Sequence, residues 1–234
     1  MGLKESGLRG SLRNVSVGID AIPDSEDLHA HYDATTISAS DGDSISTWSD
    51  QTDNDHDLTA GAEPIYKTDI LNGNPIVRFD GVDDFLNVSF SEQSQPNTIF
   101  VVFQLNSVES SRNNHIIDAN TGNNQAFFTD DSNDQNYQLF AGNRIGGNTQ
   151  SAPPETYIAS NLFNETSSEF RLNGTTDSTG DVGINNLDGI TVGAQGGGDN
   201  NTEVDIGEIL VYPSDKSQIF NDVESYLNDK WGVF

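Results

Sequence analysis

Three carboxylates stand close together near the C-terminal end of the chain, in Glu203-Val204-Asp205-Ile206-Gly207-Glu208. Two carboxyl groups about 5–5.5 Å apart can hydrolyse a glycosidic bond with retention, one acting as nucleophile and the other as acid/base. A β-strand puts Glu203 and Asp205 on one face, and a bulge at Gly207 brings Glu208 onto it. Against that, a chain with 37 acidic residues generates such triplets by chance. A second group, Asp53, Asp55 and Asp57 at alternate positions with Asp50 nearby, offers the hard oxygen ligands that Ca²⁺ takes. It is not an EF-hand, because Leu58 occupies the place of that loop's Gly and Pro64 the place of its final Glu. Calcium is therefore the one cofactor the sequence raises, and a solvated acidic loop is its alternative. His29, His31, His56 and His115 show no paired spacing that implies zinc. No Gly-x-x-x-x-Gly-Lys loop supports nucleotide binding. With no cysteine, disulfides, thiolate metal sites and cysteine nucleophiles are excluded.

The elements that must position these groups are short. Between residues 44 and 212, β-branched and aromatic residues alternate in pieces such as SISTW, PIVRFD, FLNVSF, TIFVVFQL, QAFF, YQLFA, FRLN, ITVG and IGEILVY. These predict strands, and many short strands with frequent turns and few helices favour a sandwich or jelly roll of two stacked antiparallel sheets. Asp41-Gly42, Asn72-Gly73, Asp80-Gly81, Asn173-Gly174 and Asp188-Gly189 supply the positive φ of tight turns. Trp48 and Phe79 are predicted core residues. Asp50, Asp80, Asp83 and Asp84 lie beside turns, where short carboxylates accept backbone N–H bonds. After Pro213, the spacing of Ile219, Phe220, Val223, Tyr226 and Leu227 predicts a helix, with Gly232 at its C-cap and Ser214 or Ser217 capping its start. That helix is expected to cover an open end of the sandwich, with Trp231 packed beneath it.

Ten Lys plus Arg against 37 Asp plus Glu give a net charge of −27, which repels phosphate and excludes nucleic acid as a partner. No apolar run approaches the ~18 residues of a membrane-spanning helix, so membrane insertion is not expected, and the N-terminus lacks the apolar core of a signal peptide. Asp supplies 26 of the 37 acids and Lys occurs only four times, a composition suited to very high salt. In molar salt the screening length falls to about 3 Å and self-repulsion largely disappears. Residues 1–16 differ from the rest: Lys4, Arg9 and Arg13 against Glu5 leave a net of +2, while the remainder carries −29. Residues 1–26 are an expected arm, either a disordered leader or a docking peptide that orders on an acidic assembly. Residues 27–234 are one expected domain.

Three stretches resemble the laminin G-like, concanavalin A-like jelly-roll domains of microbial surface and viral proteins. LHAHYDA followed by DGDSISTWSDQTDNDHDLTA is similar to the family's opening strand, Asp-Gly turn and Trp strand. NGNPIVRFDGVDDFL is similar to its Pro-x-Val-x-Phe-x-Gly hairpin, and DIGEILVYPSDKSQIFNDVESYLNDKWGV resembles its closing strand and helix. The resemblance spans about residues 28–234 and implies an all-β, antiparallel two-sheet jelly-roll sandwich with one C-terminal helix. Where the family often shows Ser-Gly-Asn-Gly, this chain has Thr52-Asp53-Asn54-Asp55, so that loop's shape does not carry over. The Glu203, Asp205, Glu208 triplet also matches the Glu-x-Asp-x-x-Glu of glycoside hydrolase family 16, built on the same fold. The segment GLRGSLRNVSVG resembles N-termini of proteins from haloarchaeal tailed viruses and proviruses.

Together these observations point to a noncatalytic virion surface module of a halophilic virus. Its arm, with Lys4, Arg9 and Arg13, would anchor it to other virion proteins, and its sandwich would meet a glycan or host surface, as a homo-oligomer. Binding is expected on rim loops within residues 118–124, 130–136, 142–150 and 194–202. The alternatives are a purely structural subunit, a secreted cell-surface carbohydrate-binding protein, and the family 16-like hydrolase. Sequons at Asn14, Asn87, Asn164, Asn173 and Asn200 permit surface glycosylation without demanding it.

Overall fold

The computed structural model describes residues 22–121, 124–132 and 134–234. Lys4, Arg9 and Arg13 lie outside the described residues. Strands are numbered in chain order and form two antiparallel sheets. The first has the order β14 (Thr175–Gly180), β13 (Ser168–Leu172), β12 (Glu155–Phe163), β7 (Asn97–Leu105), β16 (Glu203–Tyr212), β5 (Asn74–Asp80) and β4 (Ile65–Leu71), with β1 (Ala30–Asp33) also on β16. The second runs β11 (Arg144–Gln150), β10 (Asn136–Phe140), β9 (Ala126–Thr129), β8 (Asn114–Asp118), β15 (Leu187–Val192), β6 (Phe85–Gln93), β3 (Leu58–Ala62) and β2 (Thr47–Trp48). The all-β sandwich is as the alternating pattern implies. Among the described residues no helix is long and apolar enough to cross a membrane.

The two-residue period sorts side chains between the faces of each sheet. On β7, Phe103 points inward and meets Phe127 of β9 at 5.5 Å and Tyr137 of β10 at 6.0 Å between ring centroids. Phe100 has the opposite parity and points outward, edge-on to Phe220 at 5.9 Å. Trp48 and Phe79 are wholly buried, as expected. Each such ring stabilises the fold by about 1.5–3 kcal/mol through apolar burial.

β16 is the pivot of the first sheet. One of its edges pairs with β7 along its length, while the other pairs with β5 through Ile206 and then with β1 from Glu208 onward. Between Ile206 and Glu208 the ladder with β7 slips, and Gly207 is the extra residue. A Cβ there would lie 2.8 Å from the Trp231 ring, so glycine is what lets the helix sit down on this strand.

Helix α1 (Phe220–Trp231) ends at Gly232 in the left-handed conformation, φ 62°, as predicted. Its other expected features need correction. It lies across the outer face of the first sheet, not over an end, since Glu224 bonds Ser160 of β12 and Phe220 packs on Phe100 of β7. Neither serine caps it: Ser214 donates to Asp27, and Ser217 donates its backbone N–H to Asp215, which holds the short 3₁₀ turn preceding α1. The arm boundary also moves. Ile22 is 3% exposed within the core, Pro23 accepts the Tyr212 hydroxyl, and Asp24 pairs with Lys216, so residues 22–26 belong to the sandwich. Asn72-Gly73 and Asn173-Gly174 make the expected hairpins. Asp188-Gly189 instead lies inside β15, where the ladder with β6 shifts and a Cβ on Gly189 would strike the Val88 carbonyl at 2.2 Å.

Candidate functional site

The bulge at Gly207 does bring Asp205 and Glu208 onto one outward face of β16, but both are wholly buried and fully engaged. Asp205 faces Arg78 across the β16–β5 ladder and takes two parallel hydrogen bonds of 2.7 Å, from Nε and Nη2. Glu208 lies under α1. One oxygen accepts His31 Nε2 at 2.8 Å and the Tyr226 hydroxyl at 3.0 Å; the other accepts Lys230 Nζ and Trp231 Nε1, each at 2.7 Å. Burial alone would raise the Glu208 carboxyl, yet hydrogen bonds and charge from His31 and Lys230 outweigh it and hold the group below its ordinary value. Glu203 is the exposed member, bonded to Ser107 Oγ at 2.6 Å. The triplet thus presents no paired, substrate-facing carboxyls of the kind a retaining glycosidase uses.

The calcium candidates are not brought together. Among the described residues, the groups of three carboxylate or imidazole ligands within reach of one another are His31, Asp33, Glu208 and Asp80, Asp83, Asp84; neither contains Asp53, Asp55 or Asp57. The loop from 50 to 57 is instead tied by its own donors. Asp50 accepts His31 N–H at 2.9 Å, Thr52 N–H at 3.0 Å, Thr52 Oγ1 at 2.7 Å and His56 N–H at 3.1 Å, while Asp57 accepts the Asp50 N–H at 2.8 Å. In the first of those groups a cation is already built in: Lys230 Nζ lies 2.6 Å from Asp33 and 2.7 Å from Glu208. In the second, Asp80 and Asp84 take backbone N–H bonds from Val82 and Asp80, as the turn reading predicts. Burial, opposed by the Asp80 N–H bond, raises Asp84 to about 6.

The rim loops also separate. Successive turns of the β8–β9–β10–β11 meander leave opposite ends of the sheet. The described residues 119–121 with 124–125, and the turn at 141–143, therefore share one end, both near Asn185, and residues 130–132 with 134–135 lie at the other. Residues 144–150 form β11.

A separate concavity lies on the crossing from β1 to β2. It has a volume of about 560 Å³ and is lined by Thr36, Ser38, Ser44, Ser46, Thr47, Ser49, Gln51 and Asp43, with Ile37, Ala39 and Ile45 as its apolar members. A neighbouring hollow of about 310 Å³ shares Gln51 and adds Thr52, Asp53 and Asn54. The wall is pinned at both ends. Asp33 accepts Thr35 N–H at 2.8 Å, Gly42 N–H donates to the Tyr66 carbonyl at 2.8 Å, and Ile45 N–H donates to the Pro64 carbonyl at 2.8 Å. Rotatable hydroxyls that both donate and accept suit a ligand covered in hydroxyls. The signal was present in the sequence as eight Ser and Thr among residues 35–49, but nothing there shows that the segment bridges the two sheets.

No family model matches the sequence, and no curated protein matches it. Solved structures share the architecture. A Trypanosoma rangeli sialidase in complex with sialic acid superposes with TM-score 0.63 at 11% identity, over 88% of this chain and 33% of the sialidase. The binding domain of botulinum neurotoxin serotype D superposes with TM-score 0.62 at 8% identity, over 88% of this chain and 52% of that one. The chain thus spans about a third to a half of these neighbours. At such identity the likeness establishes the sandwich fold, in agreement with the laminin G-like resemblance, and nothing about activity.

Proposed function

We propose that this chain is a noncatalytic surface module that contacts glycan through the hydroxyl-lined groove between β1 and β2. The observation that carries this reading is the groove itself: a cavity of about 560 Å³ walled by six Ser and Thr hydroxyls with Gln51, on a loop hydrogen-bonded into both sheets. Preorganised polar groups keep the ordering cost of binding low. That Asp205 and Glu208 are buried in ion pairs supports the noncatalytic part.

The finer reading places the module on the particle of a halophilic virus, as a homo-oligomer, held to other virion proteins by its basic N-terminal segment. The charge division supports it, net +2 over residues 1–16 against −29 elsewhere, as does the excess of Asp over Lys. A glycan array probed with the full chain in molar KCl tests the groove: retention of glycans is expected, with loss on Ser49→Trp at unchanged melting temperature. Retention of no glycan, or retention indifferent to Ser49→Trp, defeats the reading. Immunogold labelling of particles in a high-salt lysate tests the location, and label confined to cell envelopes defeats it.

A further inference from the structure

Seven of the ten basic residues lie in the described part of the chain, and six are committed within it. Lys67, Arg78, Arg171, Lys216 and Lys230 pair with carboxylates, and Arg112 donates to the carbonyls of Gly81 and Asn201. Arg144 makes no ion pair or hydrogen bond among the described residues; its guanidinium lies over the Phe128 ring, 5.1 Å from the centroid. In a chain of net charge −27 an unclaimed guanidinium demands a reason.

Its surroundings supply one. On the outer face of the second sheet, His115 of β8 stacks on Phe128 of β9, with centroids 5.0 Å apart and planes 16° from parallel. His115, Phe128, Phe140, Ala126, Asn113 and Arg144 line a small cavity of about 30 Å³, room for one water or one hydroxyl. His115 is 3% exposed, and neither ring nitrogen makes a hydrogen bond among the described residues. Nδ1 lies 3.4 Å from Asp118 Oδ2, which favours the proton there and leaves Nε2 as a lone-pair acceptor. Asn113 Oδ1 is likewise buried without a donor. A buried acceptor left unpaired costs about 1–3 kcal/mol, so two acceptors beside a free cation call for a ligand that completes all three.

We infer that this face is a second binding site, for a carboxylated sugar: the carboxylate pairs with the Arg144 guanidinium, and a neighbouring hydroxyl enters the cavity to donate to His115 Nε2 or Asn113 Oδ1. The inference rests on the glycan reading only for the class of ligand. Guanidinium and carboxylate match as two parallel N–H···O bonds, and the sugar hydroxyl supplies the donor the cavity lacks. An Asp or Glu from a second copy of the chain would satisfy Arg144 but bring no donor for His115 or Asn113, so a sugar acid fits better than self-association.

The test is a ¹H–¹⁵N NMR titration of the full chain in molar KCl, which screens the overall repulsion of an acidic ligand. The probes are sodium D-glucuronate, sodium N-acetylneuraminate, D-glucose and sodium acetate. At least one sugar acid should shift the amides around Asn113, His115 and Arg144, with D-glucose and acetate each at least about tenfold weaker. Arg144→Gln should weaken the sugar acid by about tenfold or more while leaving the melting temperature unchanged. His115→Phe, which keeps the stack and removes the acceptor, should weaken it less. Equal response to glucose, binding indifferent to Arg144→Gln, or silence with both acids overturns the site; so does a dimer that Arg144→Gln dissociates. If neutral glycans are still retained on an array while both acids are silent, this inference fails and the groove reading stands. If the acids bind here while the array retains nothing through the groove, the reverse holds.

Discussion

The outer faces of the two sheets handle polar groups in opposite ways. On the first, the two oxygens of Glu208 receive four donors from His31, Tyr226, Lys230 and Trp231 beneath a helix that excludes water. On the second, His115 is almost as deeply buried, yet among the described residues its nitrogens make no hydrogen bond and the Arg144 guanidinium over the neighbouring Phe128 ring has no carboxylate partner. One face is a closed polar cluster that fixes where the helix docks. The other is an open one, and open clusters are where a ligand can recover energy that the protein leaves unspent. Charge does not separate the two, because both hold an imidazole, a carboxylate and a cation. Completeness of pairing does.

Removing the anion of the closed cluster gives the largest expected effect. Glu208→Ala leaves the half-buried Lys230 and the buried His31 with only Asp33 to balance them, and should destabilise by about 3–5 kcal/mol in chemical denaturation. A loss below about 1 kcal/mol would mean that the cluster is already open to water, and the contrast would collapse.

Acid titration probes the other face. Burial first, and then the Arg144 charge, push His115 from its ordinary 6.5 to about 4. An unfolded chain takes up this proton below about 6.5 and the folded one only near 4, so the contribution to stability is present above that window and lost as pH falls through it. The loss has an upper bound of about 3 kcal/mol, because the Asp118 carboxylate near Nδ1 favours the charged ring. Stability measured from pH 7 to pH 4 in wild type and His115→Phe should differ in slope in this direction. Parallel curves would place His115 in contact with solvent.

The smallest effect concerns the contact between bulge and helix. Gly207→Ala puts a methyl group against the Trp231 ring and should cost about 1–3 kcal/mol by overpacking. Trp231→Leu in the same background should recover part of that cost, measured as a coupling in a double-mutant cycle.

Much of the fold was legible in local chemistry. The alternation in TIFVVFQL gives β7 and its two faces, Asn72-Gly73 gives the β4–β5 hairpin, and Gly232 gives the end of α1. Where local pattern gave the wrong element, a longer-range contact had won. Asp188-Gly189 has turn chemistry, yet Gly189 serves a strand that passes close to the Val88 carbonyl. RIGGNTQ has few strand formers, yet its backbone completes the sheet beside β10. The Ser/Thr-rich segment before Trp48 was visible as composition without a shape.

What the sequence determined by itself is whatever depends on composition or on neighbours a few residues apart: strand periodicity, tight turns, the helix and its cap, the bulge at Gly207, and the net charge of −27. What only tertiary structure decided is which side chains meet across long stretches of chain. Glu208 is buried because His31, 177 residues earlier, and Lys230, 22 residues later, converge on it. Asp53, Asp55 and Asp57 do not converge because Asp50 holds their loop through backbone donors. The free energy of a charged group is set by the partners and water within a few ångströms, and that neighbourhood exists only once the sheets have paired.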